Sequence, residues 1–197
     1  HWAEKALDGG VDGFICVNNR AGGHAGALSP AQILADIGPL GKPMVCAGGI
    51  GTAAGFAEVI AMGYDGAQLG TRFIATTECH AHGDYKQAIV EASAEDIVLS
   101  EKISGVPVAV INTPYIQHMG THAGALARWM LRGRHRKHWM RTLYSLQSIW
   151  KLKRASLQGV HYRDIFQAGK SVDGISAVKP AAQVVAEYAR ALQQRPD

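Results

Sequence analysis

Cysteine is scarce in this chain of 197 residues, and its three cysteines, Cys16, Cys46 and Cys79, are widely spaced. An odd number at such spacings provides neither a disulfide framework nor a CxxC metal pattern. The sequence also lacks an apolar run of the roughly 18 to 20 residues that a membrane span needs, and it opens without the basic-then-apolar pattern of a signal peptide. We therefore expect a cytoplasmic globular protein with reduced thiols, no metal and no membrane partner.

Acidic residues are missing from a long stretch of the chain. None lies between Lys102 and Tyr162, a span that holds ten Lys and Arg residues. The whole chain has 20 Lys and Arg against 16 Asp and Glu, so the remainder has ten basic and 16 acidic residues and is net negative by six. The basic segment is either a site for an anionic partner or a solvated face balanced by sequence outside this chain.

Aromatic residues are interleaved with these positive charges at Trp129, Trp139, Tyr144 and Trp150. This arrangement leaves open a nonenzymatic module that binds polyanions or an anionic membrane surface. Aromatics at helical spacing more often pack within a lid or cap, so we expect no nucleic acid partner.

Apolar runs alternate with helical stretches in the first half of the chain. The runs are VDGFICV, KPMVCAGG and YDGAQLG, and the stretches between them are SPAQILADIG and TAAGFAEVIAMG. Ser29 and Thr52 are expected to cap these two helices, and Gly63 to end the second. Apolar strands joined by helices pair in parallel and are covered on both faces. The pattern predicts an α/β unit with a parallel sheet.

The second half reads less regularly. TRFIATTECHAHGDYKQAIVEA predicts a short helical turn, a loop and a helix, and DIVLSEKISGVPVAVINTPYI predicts an extended excursion with a turn at Gly105. Residues 123–158 have a mainly helical pattern, and a last helix is expected from about Pro180 to Gln194. The first residue, His1, is not a methionine, which suggests a fragment that lacks an N-terminal part.

Glycines follow all three predicted strands. They are Gly22, Gly23 and Gly26 after the first, Gly48 and Gly49 after the second, and Gly70 after the third. Ligands of α/β folds bind at these strand ends, where glycine lets the backbone approach them closely. The segments AGGIGT and LGTRF fit a phosphate site in which Gly48, Gly49, Gly70 and the Thr71 hydroxyl are donors. Simple tight turns are the alternative.

His24 lies on the loop after the first predicted strand, in RAGGHAG. It should face the same mouth as the phosphate site, where an imidazole transfers protons near neutral pH or donates a hydrogen bond to a developing anion. The alternative is a histidine that bonds only to its own loop.

Three segments carry a family resemblance: AGGHAG, KPMVCAGGIGTAAGFAEVIAMGYDGAQLGTRFIATTEC and YRDIFQAGKSVDGI. They resemble the nitronate monooxygenases, formerly 2-nitropropane dioxygenases, a family that includes the flavin-dependent enoyl-ACP reductases. The resemblance covers residues 11–100 and 166–175. It implies an FMN-binding TIM (β/α)8 barrel of which this chain holds strands six to eight, with 1–100 as the C-terminal part of the barrel, 101–162 as a mainly helical insertion or lid, and 163–197 returning to the barrel.

The resemblance also implies roles for individual residues. Gly48, Gly49, Gly70 and Thr71 would hold the FMN phosphate, Ala21, Gly22 and Gly23 would pass close to the flavin, and His24 would be the active-site histidine. Two positions depart from the family pattern. Arg20 stands where an acidic residue is common, so it either favours an anionic substrate or points to solvent. Lys170 stands where glutamine is common, and it either reaches the flavin or the substrate, or lies at the surface.

The function that the resemblance implies is the FMN-dependent oxidation of a nitronate by molecular oxygen to a carbonyl compound and nitrite. An NAD(P)H-dependent flavin reductase, of the enoyl-ACP or quinone reductase type, is the alternative on the same barrel. The basic segment would then suit an acyl carrier protein or a CoA moiety. A homodimer is one expected assembly.

Overall fold

Uninterrupted apolar runs form the central strands of the molecule. The computed structural model describes residues 2–103, 106–122 and 165–193. After helix α1, three strands alternate with two helices along the chain. These elements are α1 (Trp2–Asp8), β1 (Phe14–Val17), α2 (Pro30–Ile37), β2 (Met44–Ala47), α3 (Ala53–Met62) and β3 (Gly66–Gln68).

The three strands form a parallel sheet in the order β1-β2-β3. Cys46 of β2 is paired with Cys16 on one side and with Ala67 on the other. The parallel sheet and its three strands confirm the prediction from the sequence. Within the residues described, the sheet is open rather than closed into a barrel. All three carboxyl ends lie at one edge, where the glycines follow.

Both predicted helix caps are present. The Ser29 hydroxyl accepts from the Gln32 N–H, and the Gln32 side chain accepts from the Ser29 N–H, so the two residues form a capping box. The Thr52 hydroxyl accepts from the Gly55 N–H at 3.0 Å, and Gly63 ends α3 at a φ of 115°. These contacts fix where each helix leaves the strand-end loop before it.

Beyond β3, the described residues add a hairpin and four α-helices. They are α4 (Thr71–Ile74), α5 (Gly83–Glu91), β4 (Ile97–Ser100), β5 (Val108–Ile111), α6 (Pro114–Met119) and α7 (Ala181–Gln193). β4 and β5 are antiparallel, so the predicted excursion is a hairpin, and the predicted boundary between residues 100 and 101 falls inside it. The predicted helices of 123–158, with most of the basic segment, lie outside the described residues.

The main apolar core lies between the sheet and its helices. Cys16 and Cys46 are buried there, and burial raises the pKa of both thiols. The Phe56 ring of α3 packs on the Tyr188 ring of α7 at 5.5 Å, which holds the last helix against the sheet unit. A second core cluster joins α5, β5 and residues 166–175.

Strand β1 departs from the expectation that both faces of the strands are covered. Ile15 is 64% exposed and Val17 is 43% exposed, although Cys16 between them is buried. Side chains alternate between the two faces of a strand, so Ile15 and Val17 share the face opposite to Cys16, and the described ranges leave that face of β1 largely uncovered.

Removing the Thr52 hydroxyl tests the cap of α3. We expect Thr52→Ala to lower the free energy of unfolding by about 1 kcal/mol, because the Gly55 N–H loses its acceptor. Thr52→Ser keeps the hydroxyl, so its free energy of unfolding should fall much less. Urea unfolding followed by circular dichroism measures both variants, and equal losses would show that the methyl group of Thr52, rather than its hydroxyl, stabilises this helix start.

Candidate active site

A single buried side chain joins the ends of β1 and β2. Asn18 directly follows β1 and is fully buried. Its amide nitrogen donates to the Gly48 carbonyl at 2.9 Å, and its amide oxygen accepts from the Arg20 N–H at 2.8 Å. Its backbone carbonyl accepts from Ala21 and Gly26. Asn18 thus sets the position of the glycine-rich loop after β1 relative to the loop after β2.

The loops meet backbone to backbone, because their glycines have no side chains. A Cβ on Gly48 would lie 2.6 Å from the Cα of Ala21, and one on Gly22 would lie 2.7 Å from the Gly169 nitrogen. A Cβ on Gly26 would lie 2.2 Å from the Val17 carbonyl oxygen. Glycine is therefore needed here for the loops to pack, as well as for any approach of a ligand.

Strand β5 holds the histidine loop from its other side. Gly23 and Ala109 exchange both backbone hydrogen bonds, at 3.3 and 2.7 Å. On the same strand, Val110 forms a bridge with Gln167. The hairpin therefore fixes the backbone immediately before His24 and connects it to the segment that follows residue 165.

A cavity of about 370 Å³ opens at this edge of the sheet. Eight of the nine residues predicted for the site line it: Ala21, Gly22, Gly23, His24, Gly48, Gly49, Gly70 and Thr71. The structure thus brings together three loops that are separated in the sequence. The ninth, Lys170, does not line the cavity; its side chain is exposed, and its backbone N–H donates to the Arg20 carbonyl.

The cavity presents backbone donors. Gly48 and Gly49 have φ values of 113° and 77°, which favour glycine. In the part of the chain that the structure describes, the N–H groups of Gly48, Gly49 and Gly70 donate to no other protein group. The Thr71 hydroxyl oxygen accepts from the Gly169 N–H at 3.2 Å, which leaves its own proton free to donate. This set of neutral donors suits an anion such as a phosphate.

His24 lies on the cavity wall with an exposed side chain. Its imidazole forms no hydrogen bond within the ranges that the structure describes, so the alternative of a histidine bonded to its own loop finds no support there. Both ring nitrogens are free to contact a ligand in the cavity.

Four polar residues of the cavity are absent from the sequence prediction: Gln68, Tyr85, Gln167 and Ser171. The Tyr85 ring stacks on Phe166 at 4.8 Å, and its hydroxyl donates to the Gln167 carbonyl. Burial raises the pKa of Tyr85 to about 12, so this hydroxyl is neutral at pH 7. Gln68 had a sequence signal in its place at the end of β3, and Gln167 and Ser171 lie in the segment YRDIFQAGKSVDGI that carries the family resemblance.

Two further properties concern the described ranges as a whole. Residues 2–103, 106–122 and 165–193 contain no group of three or more His, Cys, Asp and Glu side chains placed to hold a metal ion. None of their helices is long and apolar enough to cross a membrane.

An isosteric change at Asn18 tests its linking role. In Asn18→Asp, an ionised carboxylate cannot donate to the Gly48 carbonyl and is buried without a cation, so we expect a loss of about 3 kcal/mol at pH 7. Desolvation raises the pKa of such a carboxyl in the folded state, so the loss should shrink as the pH falls toward the ordinary Asp value of about 4. Urea unfolding at pH 7 and pH 5 measures it.

Asn19→Asp is the matched control for this substitution. Asn19 is exposed, so we expect a change within about 0.5 kcal/mol at either pH. Equal effects at positions 18 and 19 would contradict the linking role of Asn18.

Comparison with known proteins places this geometry in a family. A family model described as nitronate monooxygenase matches residues 2–190. The chain is 30% identical over 129 residues to a (3aS,4S,5R,7aS)-5-hydroxy-7a-methyl-1-oxo-octahydro-1H-indene-4-carboxyl-CoA dehydrogenase of Rhodococcus jostii, covering 64% of this chain and 36% of the relative. It is also 30% identical over 132 residues to a probable nitronate monooxygenase of Staphylococcus aureus, with 61% and 36% covered.

Two solved structures are also similar to this chain. FabK of Thermotoga maritima superimposes with a TM-score of 0.73 at 28% identity, covering 98% of this chain and 58% of that one. A nitroalkane oxidase of Streptomyces ansochromogenes superimposes with a TM-score of 0.73 at 25% identity, covering 98% and 55%. The aligned region thus spans 36% of the two curated relatives and somewhat over half of the two solved chains. Since the family match extends over nearly all of its residues, the chain belongs to the nitronate monooxygenase family.

Proposed function

We propose that this chain carries the FMN-binding and active-site end of a nitronate monooxygenase. The observation that carries the proposal is the cavity in which His24 and the free N–H groups of Gly48, Gly49 and Gly70 converge. The family match supports a flavin-dependent oxidoreductase. The nitronate substrate is the finer part of the proposal.

The donor set of the cavity fits FMN. The Gly48, Gly49 and Gly70 N–H groups would hold the phosphate together with the Thr71 hydroxyl, and a Cβ added at Gly70 would meet no protein atom within 4 Å. The loop of Ala21, Gly22 and Gly23 would lie along the flavin ring. When bound, FMN would supply the redox chemistry that couples oxidation of the substrate to the reaction with molecular oxygen.

A few side chains of this chain would act on the substrate or shape the site around it. His24 would donate a hydrogen bond to a nitronate oxygen and so orient the anion over the cofactor. Tyr85 lines the cavity with its ring stacked on the buried Phe166, and its hydroxyl donates to the Gln167 carbonyl. The expected products are a carbonyl compound and nitrite.

The alternative is an NAD(P)H-dependent flavin reductase acting on an acyl thioester. The similarity to the CoA-thioester dehydrogenase of Rhodococcus jostii and to FabK favours it. An acyl carrier or CoA group would then be the partner, and NAD(P)H the reductant.

The absorption spectrum of the purified protein separates the two proposals. Under anaerobic conditions, an FMN spectrum that bleaches with an alkyl nitronate but stays oxidised with NADH and NADPH supports the monooxygenase. Rapid bleaching by either reduced nicotinamide supports the reductase. A protein that takes up no FMN contradicts both.

Replacing His24 tests its role toward the substrate. We expect His24→Asn to lower kcat/KM for a nitronate by about 100-fold, because the donor to the anion is lost or misplaced, while FMN occupancy stays unchanged. Oxygen consumption and the flavin spectrum provide the two measurements. His80→Asn is the control, since His80 does not line the cavity. An active His24→Asn protein with full FMN occupancy would remove His24 from the mechanism.

A further inference from the structure

Arg20 is held in place by its backbone next to the cavity: it is exposed and does not line the cavity, but its neighbour Ala21 and Gly49 beneath its stem both do. Its N–H donates to the Asn18 side chain at 2.8 Å, and its carbonyl accepts from the Lys170 N–H at 2.9 Å. The residue therefore sits between two loops that are themselves fixed, and its Cα position is defined on both sides.

The side chain of Arg20 lies across Gly49. A Cβ on Gly49 would lie 2.6 Å from the Arg20 Cβ, 3.0 Å from its Cδ and 2.9 Å from its Nε. The absence of a side chain at Gly49 thus makes room for the stem of Arg20. Gly49 also lines the cavity with a free N–H, so the stem leads the guanidinium past a backbone donor of the proposed phosphate site.

The positive charge of Arg20 has no partner within the described ranges. Its guanidinium forms no hydrogen bond or ion pair there, although its backbone is bonded at both ends. The planar donors of a guanidinium match a phosphate in a bidentate geometry. With its stem packed on Gly49 and no protein acceptor within the described ranges, the Arg20 guanidinium is available to a phosphate held by the Gly49 N–H.

We propose that Arg20 binds a phosphate group at the Gly49 rim of the cavity. The proposal rests on the proposed function, because that function supplies a phosphate here. Two ligands carry the required group: the FMN phosphate itself, and a phosphate of a CoA thioester. Arg20 adds a charge to a site whose other donors are neutral N–H and hydroxyl groups.

The first arm of the test compares FMN with riboflavin, which lacks the phosphate. Binding to the apoprotein is followed by flavin fluorescence for the wild type, Arg20→Met and Arg20→Lys. Methionine keeps an unbranched stem to pack on Gly49, and lysine keeps the charge without the planar donors. If the phosphate is that of FMN, Arg20→Met should weaken the binding of FMN about tenfold and leave the binding of riboflavin unchanged. The FMN affinity of Arg20→Lys should lie between those of the wild type and Arg20→Met.

The second arm measures CoA against pantetheine, which lacks the phosphates of CoA. Binding is measured by calorimetry on FMN-loaded protein, or on apoprotein if no flavin binds. If Arg20→Met weakens the binding of CoA but not that of pantetheine, the phosphate that Arg20 binds belongs to the substrate. Lys42→Met is the charge-matched control, because Lys42 is exposed and lies before β2, at the opposite end of the strand from the cavity.

The outcomes distinguish a failure of the proposed function from a failure of the proposed role of Arg20. If the wild type binds neither flavin, the proposed function fails, and the CoA arm still decides the role of Arg20. If the wild type binds FMN and CoA, and Arg20→Met changes neither the FMN to riboflavin ratio nor the CoA to pantetheine ratio, Arg20 does not bind a phosphate. A thermal unfolding midpoint equal to that of Lys42→Met shows that each variant is folded.

Discussion

The amide of Asn18 is the contact on which the site depends. A parallel sheet brings strand ends to one edge, but it does not by itself fix how the loops beyond them lie relative to each other. Asn18 does so because its side chain both donates, to Gly48 of the second loop, and accepts, from Arg20 of the first. Aspartate offers no donor when ionised and leucine offers neither group, so this buried position requires a neutral amide of this length.

Once the loops are linked, their packing is dominated by backbone. Gly22 approaches Gly169, and Gly48 approaches Ala21, at distances that leave no room for a Cβ. A cavity floor made of main chain presents N–H groups, whose positions are set by the fold rather than by flexible side chains. The site is therefore organised before any ligand enters, and the chain needs few charged residues to receive an anion.

The sequence predicted the elements whose signals are local. Strand runs, the Thr52 cap and glycines at strand ends follow from period and composition. They led to seven of the lining residues, and the family resemblance added Ala21. The contacts it could not predict join distant segments, such as Tyr85 with Gln167 or Gly23 with Ala109. Local pattern offered ligand approach or tight turns as the reason for the loop glycines, whereas Gly22 and Gly26 are required by close protein neighbours. The family resemblance pointed to Lys170, but its side chain is exposed and its backbone N–H donates to the Arg20 carbonyl.

The polar groups of the cavity bear on the kind of substrate it suits. Among the lining residues that the structure describes, only His24 and Tyr85 are titratable, and neither Asp nor Glu is present. Tyr85 gives its proton to the Gln167 carbonyl and has a pKa of about 12, so it is a poor acid or base near neutral pH. A neutral nitroalkane must lose a carbon-bound proton to a base before oxidation, for which carboxylates are common agents. A nitronate is already an anion and needs only orientation and a hydrogen-bond donor. If the proposed function holds, the imidazole of His24 and the free N–H groups of the described lining would supply that orientation and those donors.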